Sequence, residues 1–228
     1  MTRHGTARAQ SHDVAERLRG FGPLGLVAVV VILVGSLAGP LVSALLVLAW
    51  AHISETPLQA LGFRAPRSWT VTLLVGVAFG IVFKIGAKAL VMPLLGAPAI
   101  NAPYHYLVGN AAALPRIVAA VLISAGFGEE VFFRGYLFER LGTLLGRSLV
   151  ALVFTVLFST ALFAVAHYPD QRLPGVEQAV LTGLVFGGIF AWRRPIWFLM
   201  VAHAAFDLTA VALFYWNWEA RVAHLVFR

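Results

Sequence analysis

The 228-residue chain contains no cysteine, so it can form no disulfide, no thiolate nucleophile and no cysteine-ligated metal site. Charge is also scarce: 12% of residues are Asp, Glu, Lys or Arg, against about 25% in soluble globular domains. With 60% hydrophobic residues and a mean hydropathy of +0.86, there is too little polar surface to cover a water-soluble fold. The chain reads as an integral membrane protein. Acidic residues are the scarcer sign, 10 against 17 Lys+Arg, for a net charge of +7 and a pI near 10.6. The basic residues stand in short segments between apolar runs, which suits anionic lipid headgroups and argues against nucleic acid as a partner. Lysine is nearly absent, with 15 Arg to 2 Lys. That bias fits a GC-rich bacterial gene and therefore the cytoplasmic membrane of a bacterium.

The apolar runs predict an all-α fold, a polytopic bundle of about six transmembrane helices. A span needs roughly 20 mostly apolar residues, and runs at 24–53, 70–95, 115–141, 148–167, 176–192 and 195–215 qualify. Strands are excluded because these runs lack the alternation of a barrel, and an open sheet in lipid would leave backbone groups unpaired. The first run is far too long for a cleavable signal core of roughly 7 to 15 residues. It is expected to be retained as a span kinked at Pro40, where the ring removes an N–H. The chain then divides into a polar N-terminal segment (1–23), N-terminal transmembrane helices (24–110), a helix bundle carrying the chemistry (111–217) and a C-terminal tail (218–228). With six crossings, Lys and Arg count about equally on the two sides. Arg3, Arg8, Arg17 and Arg19 favour a cytoplasmic N-terminus. Trp192, Trp197, Tyr215, Trp216 and Trp218 suit the headgroup level, or simple packing.

Ionisable residues inside a span cost about 2.5–3.5 kcal/mol each on insertion scales, so each one needs a reason. The segment Gly126-Phe-Gly-Glu-Glu-Val-Phe-Phe-Arg-Gly135 sets Glu129, Glu130 and Arg134 within the third run. Arg134 follows Glu130 by four residues, which pairs them on one helical face and turns Glu129 about 100° away. Glu130 and Arg134 are thus expected to hold the helix, leaving Glu129 as the reactive carboxylate; a salt-bridged interior without chemistry is the plain alternative. His167 ends an apolar helix, where a packed or capping histidine is common. His203 and Asp207, also four apart, can pair so that the carboxylate orients the imidazole or helps it hold a metal. A hydrogen-bonded pair without function is again the alternative. Lys84 and Lys88 form a further pair in the second run, with no acid nearby in sequence. At about 1.5 Å per residue, Glu129 lies roughly 20 Å from the 142–147 connection and His203 roughly 12 Å from the 193–194 turn. His167 lies nearest the opposite face, so a common site requires tilt or kinks.

Three of these segments, in order, resemble a known pattern. Glu129-Glu130-Val-Phe-Phe-Arg134 fits EExxxR, Phe163-Ala-Val-Ala-His167 fits FxxxH, and His203-Ala-Ala-Phe-Asp207 fits HxxxN/D. The set resembles the CPBP (CAAX protease and bacteriocin-processing, or Abi) family of intramembrane proteases, which includes Rce1-type CAAX prenyl endopeptidases. Leu61-Gly-Phe-Arg64 is a softer match to the stretch upstream. The resemblance implies a glutamate-dependent endopeptidase acting on membrane proteins or peptides, in which Glu129 and His167 activate water. His203 and the residue at 207 would stabilise the oxyanion. It leaves the cofactor open between a divalent ion such as Zn2+, held by Glu129, His167 and His203, and none. Position 207 departs from the frequent Asn: an ionised carboxylate cannot donate to an oxyanion, which shifts that task to His203. Two other classes remain. One is a non-enzymatic bacteriocin-immunity or peptide-binding protein on the same scaffold. The other is a proton-coupled transporter, disfavoured because no repeat of two matching halves is visible. A serine protease is excluded by the lack of a GxSG nucleophile, since Ser124 sits in Ile-Ser-Ala-Gly.

Overall fold

The first apolar run does not cross as one span. The computed structural model describes residues 12–227, so Arg3 and Arg8 lie outside the described residues. Helix α1 (His12–Arg19) turns by 63° into α2 (Pro23–Ser36), and α3 (Pro40–Ile53) follows three residues later. Gly39 takes φ +124°, a region that strains any side chain. Pro40 then opens α3 where its missing N–H costs nothing. Together they convert the expected kink into a reversal: Gly35 lies against Leu46, and Trp50 Nε1 near the end of α3 donates to Leu18 O at 3.2 Å. Each arm has 14 residues, about 21 Å of helix. That is short of a hydrocarbon core about 30 Å thick. The pair is an antiparallel hairpin whose two ends lie at the same end of the bundle.

Four helices are long and apolar enough to cross a membrane: α4 (Trp69–Leu94), α5 (Ala111–Leu145), α6 (Leu149–Arg193) and α7 (Ile196–Tyr215). Helix α6 folds back on itself at Arg172, whose φ +56° and ψ −157° break the helix between Pro169 and Pro174. Its arms, 149–171 and 173–193, run antiparallel, since Gly183 faces Thr160 and Gly187 faces Val156. The hairpin and the five crossings together account for the six apolar runs, and all regular structure among the described residues is helical. A short α8 (Glu219–Ala223) follows α7.

Small residues set the closest approaches. A Cβ on Gly76 would lie 2.8 Å from Val201 Cγ1, and Gly80 lies against the backbone of Ala202, which holds α4 parallel to α7. Gly128 brings α5 against the tip of the hairpin, where a Cβ would stand 2.7 Å from the Pro40 carbonyl carbon. Close packing of this kind is what drives helix association where lipid is as apolar as leucine. Outward-facing Val71, Leu74, Val82, Leu149 and Val165 remain exposed, as lipid-facing residues should. The core is aromatic: Phe163, Phe186, Phe190 and Tyr136 are fully buried with Ile196 and Leu199.

Side chains tie the connections together at the two ends. At one end Arg140 donates to Arg19 O (2.8 Å) and Gly20 O (3.2 Å), with its guanidinium over the rings of Phe21 and Trp50. Arg194 donates to Ala60 O at 2.7 Å. At the other end Glu219 of α8 accepts from Asn101 N–H (3.0 Å) and pairs with Lys88 (3.3 Å). The buried Lys88 therefore has an acid partner 131 residues away, which no local reading of the second run could supply. The 218–228 segment, expected to be a tail, is in part structural, since Glu219 is buried.

Candidate active site

Helix α5 changes its pitch where the glutamates lie. Over Val121–Tyr136 it widens to i→i+5 bonding, and Leu137 N–H donates to Phe132 O. Wide turns advance less per residue and recur at functional sites. In this stretch Glu129 and Glu130 both lie beside His203 of α7, and the wide turns shorten the distance that ordinary α-helical spacing left between them.

Glu130 and Arg134 pair as their spacing requires, at 2.8 Å and with both side chains almost wholly buried. The guanidinium also lies over the rings of Phe163 (4.7 Å) and Phe186 (5.5 Å). The same oxygen, Glu130 Oε1, is 2.7 Å from His203 Nδ1, so an Arg134–Glu130–His203 chain runs through the core. Glu130, rather than Asp207, makes the orienting bond to this imidazole. On the far edge of the ring, Nε2 lies 3.6 Å from Glu129 Oε2 and 3.6 Å from Asp207 Oδ2. Glu129 Oε2 is buried and has no hydrogen-bond partner among the described residues. Adjacent in the chain, the two glutamates thus take opposite edges of one ring, one committed to structure and one left with a free acceptor.

His167 joins from the first arm of α6. Its Nδ1 is 2.8 Å from Phe163 O; a carbonyl only accepts, so Nδ1 carries the proton and the Nε2 lone pair is left free. The Phe163 ring separates it from His203, with centroids 4.4 Å and 6.1 Å away respectively. His167, His203 and Asp207 line a cavity of about 80 Å³ with Lys84, Tyr104 and Gln178. A second cavity of about 250 Å³ adjoins it, sharing Lys84, Asn101, Gln171, Gln178 and Phe214. The six residues expected at the site are therefore gathered around one region of the bundle, with Glu130 and Arg134 supporting it from behind.

Several lining groups escape sequence reasoning. Lys84, one of the lysine pair in the second run, donates to Gln178 Oε1 at 2.6 Å and lies over Phe206, so it faces the cavity. Gln171 and Gln178, polar amides near the bend of an apolar hairpin, carried a signal in their cost. Tyr104 carried none, because it reaches the cavity from the 95–110 connection by stacking on Phe214 at 5.2 Å. Burial first, and then the charge of Asp207, push its phenol up to about 12, so it stays protonated at any physiological pH.

The donor chemistry of Glu129, His167 and His203 would suit a divalent ion. Their arrangement does not: among the described residues, no three His, Asp or Glu side chains converge as a metal would require.

No curated protein and no solved structure matches the chain. A family model does match, that of the Rce1-like type II CAAX prenyl endopeptidases, over residues 111–209. These residues include Glu129, Glu130, Arg134, His167, His203 and Asp207, together with both arms of α6. The segment of the chain that builds the polar interior of the bundle is thus the part that is similar to the Rce1-like family.

Proposed function

We propose that the protein is an intramembrane endopeptidase that hydrolyses peptide bonds of membrane-associated proteins or peptides with a water activated by Glu129 and His167. The observation that carries this reading is the unpartnered, buried carboxylate oxygen of Glu129, set 3.6 Å from the imidazole of His203 within a segment of a CAAX-type endopeptidase family.

The residues divide the work by what each can donate or accept. Glu129 takes a proton from a water that the free Nε2 of His167 helps to position. The resulting hydroxide attacks the scissile carbonyl, and the carbonyl oxygen becomes an oxyanion. His203, with Nδ1–H committed to Glu130, presents an imidazolium Nε2–H to that oxygen, and the protonated Tyr104 phenol is a further donor in the same cavity. Donors fixed in advance in a dry site stabilise developing charge strongly, because no solvent must reorganise. Glu129 then passes its proton to the leaving amine, and the peptide bond breaks with one water consumed. Arg134 and Glu130 hold His203 in place and touch no substrate.

The test is a comparison of new peptide termini in membranes of cells expressing the wild type or Glu129→Gln at matched levels, by quantitative mass spectrometry. Termini present only with the wild type support the reading and name the substrates. If no terminus differs, the chain is not a protease in that setting, and the non-enzymatic reading replaces this one.

A further inference from the structure

Because α3 reverses against α2, the polar connections sort differently from what six crossings would give. Arg17 and Arg19 of α1 lie at the end where the hairpin both enters and leaves. So do Arg64 and Arg67, because the 54–68 connection follows α3 directly. Helix α5 runs towards this end, bringing Arg140 and Arg147 to it, and the second arm of α6 delivers Arg193 and Arg194. The hydrogen bonds from Arg140 to the α1–α2 turn and from Arg194 to Ala60 hold these connections together. Eight described arginines thus share one end. Of the described arginines, only Arg116, Arg172 and Arg221 lie towards the other end. Had the first run crossed, Arg64 and Arg67 would have been placed opposite Arg17 and Arg19.

The site opens away from the arginines. Towards the arginine-rich end it is closed by Phe186, Phe190, Ile196 and Leu199, each with no exposed surface. Towards the other end the two cavities are walled by Asn101 and Tyr104 of the 95–110 connection, by Gln171 beside the α6 bend, and by Phe214 near the end of α7.

Basic residues in short connections are retained on the cytoplasmic side during insertion, where they also meet anionic headgroups. We propose that the arginine-rich end faces the cytoplasm and that the cavity opens to the opposite, extracytoplasmic face. The substrates are then membrane-anchored segments presented from that side. The orientation stands by itself, and the statement about substrates rests on the protease reading above.

Since the chain has no native cysteine, single cysteines report topology cleanly. Ala65→Cys and Thr143→Cys probe the arginine-rich end, and Ala112→Cys and His224→Cys the other. On intact cells a membrane-impermeant maleimide should label positions 112 and 224, whereas 65 and 143 should react only after lysis. The reverse pattern, or labelling at both ends, overturns the orientation. Labelling does not depend on activity, so a protease reading that failed by the terminus comparison would leave this result intact. If labelling holds and Glu129-dependent termini nevertheless map to cytoplasmic segments of the substrates, the statement about presentation is overturned alone.

Discussion

His203 Nδ1 lies 2.7 Å from Glu130 Oε1, an oxygen that also accepts from Arg134 at 2.8 Å. One carboxylate oxygen therefore joins α5 to α7. It leaves the other imidazole nitrogen facing Glu129 and Asp207.

Removing the reactive oxygen should separate catalysis from folding. Glu129→Gln keeps the shape of the side chain and takes away the proton acceptor, which in general-base catalysis contributes about 10²- to 10⁴-fold. Cleavage of a substrate found by the terminus comparison should fall by at least that range, with expression and thermal stability in detergent close to wild type. Undiminished turnover would end the assignment of Glu129 as base.

Arg134→Ala should behave in the opposite way. It takes from the buried Glu130 one of its two cationic partners and leaves His203 alone to compensate the charge; removing one partner of a buried pair costs about 3–5 kcal/mol. It also uncovers Phe163 and Phe186. A large drop in the detergent melting temperature is expected, together with lost activity. A variant that melts like the wild type would show that the pair is not needed to hold the helix.

The hairpin tip offers a test of packing that is read from stability and not from proton transfer. Gly128→Val would drive methyl groups into the Pro40 backbone, which is fixed by its turn, and overpacking of this kind costs about 1–3 kcal/mol. Gly142 has open space around it, so Gly142→Ala should be tolerated. Equal melting temperatures for the two variants would refute the close approach of α3 to α5.

Tyr104 gives a pH dependence with a definite sign. Its phenol titrates at about 12 in the folded protein against an ordinary value of 10.0, so the unfolded chain loses this proton first. The stability it contributes is present below about pH 10 and is lost as pH rises towards 12. Between pH 9 and pH 11 the wild type should lose more melting temperature than Tyr104→Phe. Equal losses would mean that the phenol is not desolvated.

How much the sequence revealed depended on the range of each interaction. Composition alone settled the membrane class and the helical architecture, because lipid leaves the backbone no other way to satisfy its hydrogen bonds. The Glu130–Arg134 pair was legible because its partners are four residues apart in one helix. Three motifs in order were enough to indicate the Rce1-like segment. Whatever depended on a partner distant in the chain was not legible. Lys88 pairs with Glu219 across 131 residues, Glu130 displaces Asp207 as the group that orients His203, and Tyr104 enters the site from a loop. The first run was misread because Gly39 and Pro40 permit either a kink or a reversal. Only packing of α3 against α1 and α5 selects the reversal, and that choice moves Arg64 and Arg67 to the same end as Arg17 and Arg19. The sequence by itself determined which residues are costly in lipid and must therefore find partners. The tertiary structure decided which partners they find and on which side of the membrane the connections emerge, because both depend on contacts between helices that sequence spacing does not encode.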